Sequence, residues 1–139
     1  MPSAKTLEQT VTIPASPKEV YEALMHSKIH AKVTDAKATI SSKVGGKITA
    51  YDGYITGKNK ELILGKRIVQ EWRASDWPKG ATSTVTFSLS KVSAGTRIKF
   101  THKNIPSEFF SDIKQGWEDF YWKPLQEWFS KKASVAKGR

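Results

Sequence analysis

The sequence predicts an α+β fold in which an antiparallel sheet of about six strands is covered by one long C-terminal helix. Two observations lead to this prediction. Through residues 107–132, apolar residues recur in steps of three and four, which is the period of an amphipathic helix. Between residues 38 and 104, apolar and polar residues instead alternate, as in strands with one buried and one solvent-exposed face. We expect the helix to cover the buried face, because no other predicted element is long enough.

The N-terminal part of the chain predicts one strand followed by two short helices. Residues 6–13 alternate loosely and indicate a strand that ends at Pro14. The Ser-Pro-Lys-Glu sequence at residues 16–19 is a helix start, because Ser is a favoured N-cap, Pro suits the first helical position and Glu completes a capping box. This helix should end near His26, and residues 27–31 predict a second, shorter helical turn.

The central region predicts an antiparallel meander with defined inward-facing residues. Turns are expected at residues 45–46 and 52–53, and the Asp-Gly of the second turn is a two-residue hairpin signal. Residues 61–74 form the longest strand candidate, and Gly65 marks a candidate break in it. The residues expected to face inward are Ile68, Gln70 and Trp72, then Val85, Phe87 and Leu89, then Ile98, Phe100 and His102.

The C-terminal segment predicts a helix with one narrow apolar stripe. Trp122 and Phe129 are expected to the side of this stripe. Pro124 lacks a backbone N–H, so we expect a bend near Phe120 that follows the sheet, with a break into two helices as the alternative. The residues of the stripe are Phe110, Ile113, Trp117, Tyr121, Pro124 and Trp128.

The length of 139 residues predicts a single domain over residues 1–139. We expect a folded core at about 6–130 and a frayed basic tail at 131–139. Cysteine is absent, which excludes disulfides and cysteine metal sites. No membrane-spanning run or signal peptide is evident in the sequence, so we expect a cytoplasmic protein. The net charge of +10, from 23 Lys and Arg against 13 Asp and Glu, favours an acidic partner without identifying it.

Several short segments, taken in order, resemble one known family. They cover roughly residues 6–130 and are similar to the activator-of-heat-shock-protein-90-ATPase family, in particular its C-terminal domain, within the START-like (SRPBCC) superfamily. The resemblance implies a helix-grip fold, in which a curved sheet wraps a long C-terminal helix around an apolar cavity. The segments lie at residues 16–21, 45–47, 52–53 with Gly57, 67–73, 77–80, 115–117 and 120–121.

The resemblance implies a co-chaperone, not an enzyme, that binds heat-shock protein 90 and stimulates or modulates its ATPase without a cofactor. The Trp-Pro-Lys-Gly loop at residues 77–80 makes the sequence more similar to the co-chaperone than to many bacterial single-domain relatives. The co-chaperone has an additional N-terminal domain, for which this chain has no room. Whether this chain would activate the chaperone without such a domain is therefore an open question.

A cavity between helix and sheet gives the alternative function, a carrier or sensor of a small apolar ligand. Gln70 and His102 would supply its polar groups, whereas a solid core in which both are internally satisfied is the competing interpretation. The candidate lining residues are Ile68, Gln70, Trp72, Phe87, Phe100, His102, Phe110, Ile113, Trp117 and Tyr121.

Three aromatic residues and one lysine form a candidate partner surface. Trp77 and Lys79 lie in a polar loop, and Trp122 and Phe129 are expected beside the helical stripe. Exposed aromatic residues next to cations are enriched at protein interfaces. The alternative is that the three aromatic side chains pack at the margin of the core.

No pattern predicts catalysis, metal binding or nucleic-acid binding. His26 and His30 are four residues apart, but a helix restart at Ser27 separates them and no third ligand is evident. No carboxylate is spaced to pair with His102 for proton transfer. The strand aromatics are expected on the buried face, whereas a nucleic-acid platform needs them exposed among Lys and Arg. We therefore expect no metal, no cofactor and no nucleic-acid partner.

Overall fold

The structure, a computed structural model, describes residues 4–137, and the side chains of residues 4–131. The predicted α+β fold, with a curved antiparallel sheet and a long C-terminal helix, is confirmed. One sheet contains seven strands in the order β1-β7-β6-β5-β4-β3-β2. The strands are β1 (Ala4–Ile13), β2 (Thr39–Ile40), β3 (Lys47–Ala50), β4 (Ile55–Ile63), β5 (Arg67–Ala74), β6 (Ser83–Val92) and β7 (Gly95–Pro106).

Two short helices and one long helical segment complete the fold. The short helices are α1 (Pro17–Met25) and α2 (Ser27–Thr34); the long segment comprises α3 (Phe110–Trp117), a π-helical turn (Glu118–Trp122) and α4 (Lys123–Lys137). Most of the tail that was expected to fray lies outside the described side chains, although the backbone of α4 runs to Lys137. Within residues 4–137, no helix is long and apolar enough to cross a membrane.

The start of α1 has the predicted capping box. The Ser16 hydroxyl accepts a hydrogen bond from the Glu19 backbone N–H at 3.2 Å, and the Glu19 carboxylate accepts one from the Ser16 backbone N–H at 3.1 Å. These two bonds satisfy donors that would otherwise be unpaired at the helix start. The helix then buries Val20, Tyr21 and Leu24 against the sheet core.

The alternation predicted for the long strands is confirmed. On β5, Ile68, Gln70 and Trp72 are buried, while the residues between them are half-buried. Inward residues of neighbouring strands lie opposite one another, as Phe87 and Phe100 do between β6 and β7. Because each pair shares one face of the pleat, these side chains form the floor on which the C-terminal helix packs.

Two turns refine the predicted meander. The chain breaks around Gly65 as expected, since β4 ends at Ile63 and β5 begins at Arg67. The Asp-Gly turn is not a two-residue hairpin, because Ala50 pairs with Ile55 and four residues connect them. Tyr51, Asp52 and Gly53 all have positive φ angles, of 53°, 57° and 91°.

The π-helical turn corrects the predicted helical stripe. The Lys123 N–H bonds to the Glu118 carbonyl, five residues earlier, so the turn contains one more residue than an α-helical turn. The stripe is therefore as predicted as far as Tyr121 and then shifts by one residue. From the last residue of the turn onwards, the buried residues are Trp122, Leu125 and Phe129, whereas Pro124 and Trp128 are only half-buried.

Pro124 and Tyr51 explain why the helix is irregular near Phe120. Pro124 has no N–H to donate to the carbonyl of Phe120, four residues earlier. The Tyr51 hydroxyl donates to that carbonyl instead. The residues that join the π-helical turn to α3 and α4 keep helical angles, so the segment is distorted but not broken in two.

Candidate ligand cavity between the helix and the sheet

A cavity of about 440 Å³ lies under the first half of the C-terminal helical segment. This volume is within the range of small-molecule sites, roughly 300–1,000 Å³. The lining combines α3 and the π-helical turn with the ends of β4 and β5 and the loops beside them. Its residues are Tyr51, Tyr54, Ile55, Trp72, Ala74, Asp76, Trp77, His102, Phe109, Asp112, Ile113, Gly116, Trp117, Phe120 and Tyr121.

The structure brings half of the predicted cavity residues to this site. Trp72, His102, Ile113, Trp117 and Tyr121 line the cavity. The other five lie elsewhere: Ile68, Phe87 and Phe100 in the solid core, Gln70 in a buried hydrogen-bond network, and Phe110, half-buried, on α3.

The lining residues that the sequence does not predict come from the β3–β4 connection, the ends of β4 and β5, the loop after β5 and the C-terminal helical segment. They include Tyr51, Tyr54, Phe109 and Phe120. The position of Pro124, four residues after Phe120, is the one sequence feature that could have pointed to this part of the lining. A proline leaves the carbonyl four residues earlier without its helical donor, so the Phe120 carbonyl can accept a hydrogen bond from outside the helix. Nothing in the local sequence indicates that Tyr51 would be that donor.

Trp117 forms the boundary between the cavity and the solid core. Its ring stacks on Trp72 at a centroid distance of 4.9 Å and contacts Phe100 at 4.4 Å and Tyr121 at 4.7 Å. Aromatic rings at these distances contribute about 0.5–1.5 kcal/mol per pair beyond their burial. This wall of the cavity is therefore closely packed.

His102 is fully engaged in hydrogen bonds inside the core. The Trp117 indole N–H donates to His102 Nδ1 at 3.0 Å. An indole nitrogen can only donate, so Nδ1 is the acceptor and Nε2 carries the proton that is donated to the Ser83 hydroxyl at 2.7 Å. Burial lowers the pKa of His102 to about 3. The imidazole is therefore neutral near pH 7.

Gln70 is satisfied in the same way, in a second network. Its side-chain carbonyl accepts from the Trp72 indole N–H at 2.8 Å, and its amide donates to the Asn59 carbonyl oxygen at 3.1 Å. The Asn59 amide in turn donates to the backbone carbonyls of Ser41 and Lys43. Neither of the polar residues predicted to serve a ligand has a free polar group for one.

The second buried histidine, His30, holds the far wall of the cavity. Its Nε2 lies 2.9 Å from the hydroxyl of Tyr121, a lining residue. Burial lowers the pKa of His30 to about 4 and raises that of the Tyr121 hydroxyl well above its ordinary value. Both groups are therefore neutral near pH 7. His26 is exposed and does not join them, and no group of three metal-ligating side chains occurs among the described residues.

The charged groups of the lining are two carboxylates. Asp76 accepts a hydrogen bond from the Tyr54 hydroxyl at 2.8 Å, and Asp112 lies on the first turn of α3. Burial, followed by the interaction with Asp76, raises the pKa of Tyr54 to about 12. Asp76, Asp112 and Tyr54 are exposed, so they mark the solvent side of the cavity.

The predicted partner surface is corrected, because its aromatic side chains are not exposed. Trp77, Trp122 and Phe129 are 4%, 1% and 4% exposed, and only Lys79 is on the surface. The extra residue of the π-helical turn rotates Trp122 and Phe129 towards the sheet, where the Trp122 indole donates to the Gln9 side chain at 2.8 Å. The core-margin alternative is the one observed.

Arg73 explains the burial of Trp77. Its guanidinium donates to the backbone carbonyls of Trp77 at 2.9 Å, Pro78 at 2.6 Å and Ala81 at 3.0 Å. These bonds fold the loop back over the end of β5, so that the Trp77 ring becomes part of the cavity wall. The indole N–H of Trp77 is buried and finds no acceptor among the described residues.

Comparison with known proteins agrees with the resemblance found in the sequence. The family described as activator of Hsp90 ATPase homolog 1-like protein matches residues 14–130. The chain belongs to this family. Its match covers the capping box of α1, all of the sheet from β2 to β7 and most of the C-terminal helical segment.

Curated relatives of the family are longer than this chain. The human activator of 90 kDa heat shock protein ATPase homolog 1 is 29% identical over 130 residues, which are 93% of this chain and 38% of that protein. The Dictyostelium discoideum homolog is 33% identical over 119 residues, 84% of this chain and 31% of that protein. The chain thus spans about a third of the length of these relatives.

Solved structures support the same fold. An Hsp90 activator from Plasmodium falciparum is similar with a TM-score of 0.76 and 28% identity, over 83% of this chain and 89% of that one. The solution structure of an Aha1 dimer from Colwellia psychrerythraea has a TM-score of 0.73 and 23% identity, over 88% of this chain and 96% of that one. At this lower identity, the second comparison bears on the fold alone.

Proposed function

We propose that the chain is a co-chaperone-like protein that binds heat-shock protein 90 and stimulates or modulates its ATPase. The observation that carries this proposal is the family match over residues 14–130, together with the similarity to a solved Hsp90 activator over most of both chains. Such an effect needs only a difference in affinity for two states of the chaperone, so it requires no catalytic residue in this chain. We propose a cytoplasmic location, where such a partner would be met.

The outer face of the sheet offers a docking surface for an acidic partner. Arg97, Lys99 and Lys103 are exposed on β7, while Ile98 and Phe100 between them are buried. None of the three cations forms an ion pair with a described residue. Alternate residues of a strand are about 7 Å apart, so these three, which we call the β7 basic strip, extend along about 20 Å of one face.

The neighbours of the β7 basic strip leave it accessible. Ser90, Ser88 and Thr84 on β6 lie opposite Arg97, Lys99 and Lys103 in the register, and these short hydroxyl side chains do not cover the cations. On the other side, β1 places Thr12 and Thr10 opposite Arg97 and Lys99. This part of the curved outer face is therefore accessible and mainly basic, with Glu8 of β1 opposite Thr101 as a neighbouring carboxylate. It would steer an acidic protein towards it, and this attraction would weaken as salt is added.

The test is to measure heat-shock protein 90 binding and ATPase rate at low and high salt. Replacing Arg97, Lys99 and Lys103 together with Gln should abolish most of the salt-sensitive binding. The matched control replaces Lys18, Lys28 and Lys32, which are exposed on α1 and α2, and removes the same charge. An unchanged ATPase rate and no binding at low salt would contradict the proposed function, whereas equal losses in both variants would contradict only the assignment to the β7 basic strip.

The cavity favours a second candidate function, that of a carrier or sensor for a small apolar ligand. Its volume, its aromatic lining and its partly open side support this candidate. Gly116 allows a direct test, because a Cβ added there would meet only the Phe120 ring edge, at 3.8 Å. Gly116→Leu should reduce the volume of the cavity and weaken the binding of an apolar fluorescent dye while the fold is kept. Equal dye binding by both proteins would contradict the carrier function.

A further inference from the structure

The charge of the cavity is opposite to the charge of the protein. The chain carries a net charge of +10, yet no Lys or Arg is among the residues that line the cavity. The charged side chains of the lining are Asp76 and Asp112. A ligand that entered this cavity would therefore have two carboxylates and no Lys or Arg among its lining residues, although the protein is basic.

Both carboxylates are available to a ligand. Asp112 is exposed and forms no hydrogen bond or ion pair with a described residue, and Asp76 is exposed and accepts only the Tyr54 hydroxyl. The two carboxylates also act on the same hydroxyl, since each contributes to the raised pKa of Tyr54. They therefore lie around one part of the cavity, on its solvent side.

The inner walls favour an apolar body and are compatible with a nearby cation. Trp72, Trp117 and Phe109 present aromatic surface. The indole N–H of Trp117 is already used in a hydrogen bond to Nδ1 of His102. Aromatic faces attract cations within about 6 Å. An anionic head group would instead be placed against Asp76 and Asp112, which costs free energy because like charges repel.

We propose that the cavity binds an amphipathic cation, with its apolar body against Trp72 and Trp117 and its ammonium-type group beside Asp76 and Asp112. This proposal rests on the second candidate function, namely that the cavity holds a ligand. It adds the chemical class of that ligand, because the shape of the cavity alone would accept an acid, an alcohol or an amine of equal length.

The experiment compares three probes that share one alkyl chain: n-octylammonium, 1-octanol and octanoate. Binding is measured by displacement of the apolar dye and by calorimetry. We expect n-octylammonium to bind about fivefold more tightly than 1-octanol, because two solvent-exposed ion pairs contribute an effect of about this size. Octanoate should bind most weakly of the three. The net charge of the protein would favour octanoate, so a preference for the cation reports the local carboxylates.

Two variants assign the preference to its residues. Asp76→Asn combined with Asp112→Asn keeps the shape of the cavity and should make the affinities for n-octylammonium and 1-octanol equal. Glu118→Gln is the control for the loss of a nearby carboxylate, because Glu118 is exposed on the same helical segment but does not line the cavity. This control should keep the fivefold preference.

The outcomes separate the two levels of the proposal. If 1-octanol or octanoate binds as tightly as n-octylammonium, or if the double Asn variant keeps the preference, the ligand class is wrong while the carrier function stands. If no probe binds and no dye binding is lost in Gly116→Leu, the carrier function is wrong and the ligand class fails with it.

Discussion

Acidification should destabilise this protein through its two buried histidines. Burial lowers the pKa of His102 to about 3 and that of His30 to about 4 in the folded state. In the unfolded chain, an imidazole binds its proton near pH 6.5, as model peptides do. Below about pH 6.5, the unfolded state therefore holds more protons than the folded state, and the free energy of unfolding falls as the pH falls. The loss should continue down to the pKa values of the folded state.

The expected magnitude is large compared with the stability of a typical domain. Each buried imidazole contributes a slope of about 1.4 kcal/mol per pH unit between its unfolded and folded pKa values. For two such groups, the free energy of unfolding should drop by roughly 5 kcal/mol between about pH 6 and about pH 4. A domain of this size has a total of about 5–15 kcal/mol, so acid should bring it close to unfolding.

The assay is urea denaturation at a series of pH values, followed by tryptophan fluorescence. His102→Asn should reduce the slope by about half, because the Asn carbonyl can still accept the Trp117 indole N–H but cannot titrate near neutral pH. His26→Gln is the control, since His26 is exposed. A wild-type free energy of unfolding that is constant between about pH 6 and about pH 4, or a His26→Gln variant that flattens the pH dependence as much as His102→Asn, would refute a role for the buried histidines.

Three further substitutions test the local geometry by the same urea measurement at neutral pH. Gly116→Ala should raise the free energy of unfolding by about 0.5–1 kcal/mol, because Ala favours a helix and the added Cβ meets only Phe120, at 3.8 Å; a loss would show that this wall is not free. Gly57→Ala should cost about 3 kcal/mol or more, because its Cβ would lie 1.8 Å from the Glu71 carbonyl oxygen, and a neutral result would contradict the close approach of β4 and β5. Tyr51→Phe should cost about 1 kcal/mol by removing the donor to the Phe120 carbonyl, whereas equal stability would mean that water replaces it.

The strands could be predicted from the sequence because the burial of side chains and the occurrence of apolar residues both repeat every two residues. On β5 and β6, every second side chain is buried, so the alternation of apolar and polar residues gives both the strand and its inward face. The capping box at Ser16 and Glu19 is likewise a local pattern, and it is observed as expected. In each case, the physical cause lies within a few residues of its effect.

The features that could not be predicted depend on contacts distant in the sequence. The π-helical turn is stabilised where Pro124 frees a carbonyl and Tyr51, more than sixty residues earlier, supplies the donor. A regular helix rotates by about 100° per residue, and a prediction that assumes this rotation throughout does not include the extra residue of the π-helical turn. Trp122 and Phe129 were therefore expected beside the stripe. For Trp77, the sequence left the partner surface and the core margin open as alternatives, because nothing in its own loop shows that Arg73 folds that loop over the sheet.

The π-helical turn also explains why the cavity lies at one end of the helical segment. Before the turn, Phe109, Phe110 and Ile113 are only half-buried, and the lining of the cavity ends at Tyr121. From the last residue of the turn onwards, Trp122, Leu125 and Phe129 are almost completely buried.

One helix with an unbroken 3.6-residue period would present one stripe along its whole length, and Trp122 would then lie beside it. The added residue instead directs both Tyr121 and Trp122 inward. It thereby closes the core under α4, while the cavity lies under α3 beside Trp117, whose ring still packs on Trp72 and Phe100. A ligand in the cavity would consequently contact α3 and the β3–β4 connection, and the Tyr51 hydroxyl hydrogen-bonds that connection to the Phe120 carbonyl in the π-helical turn.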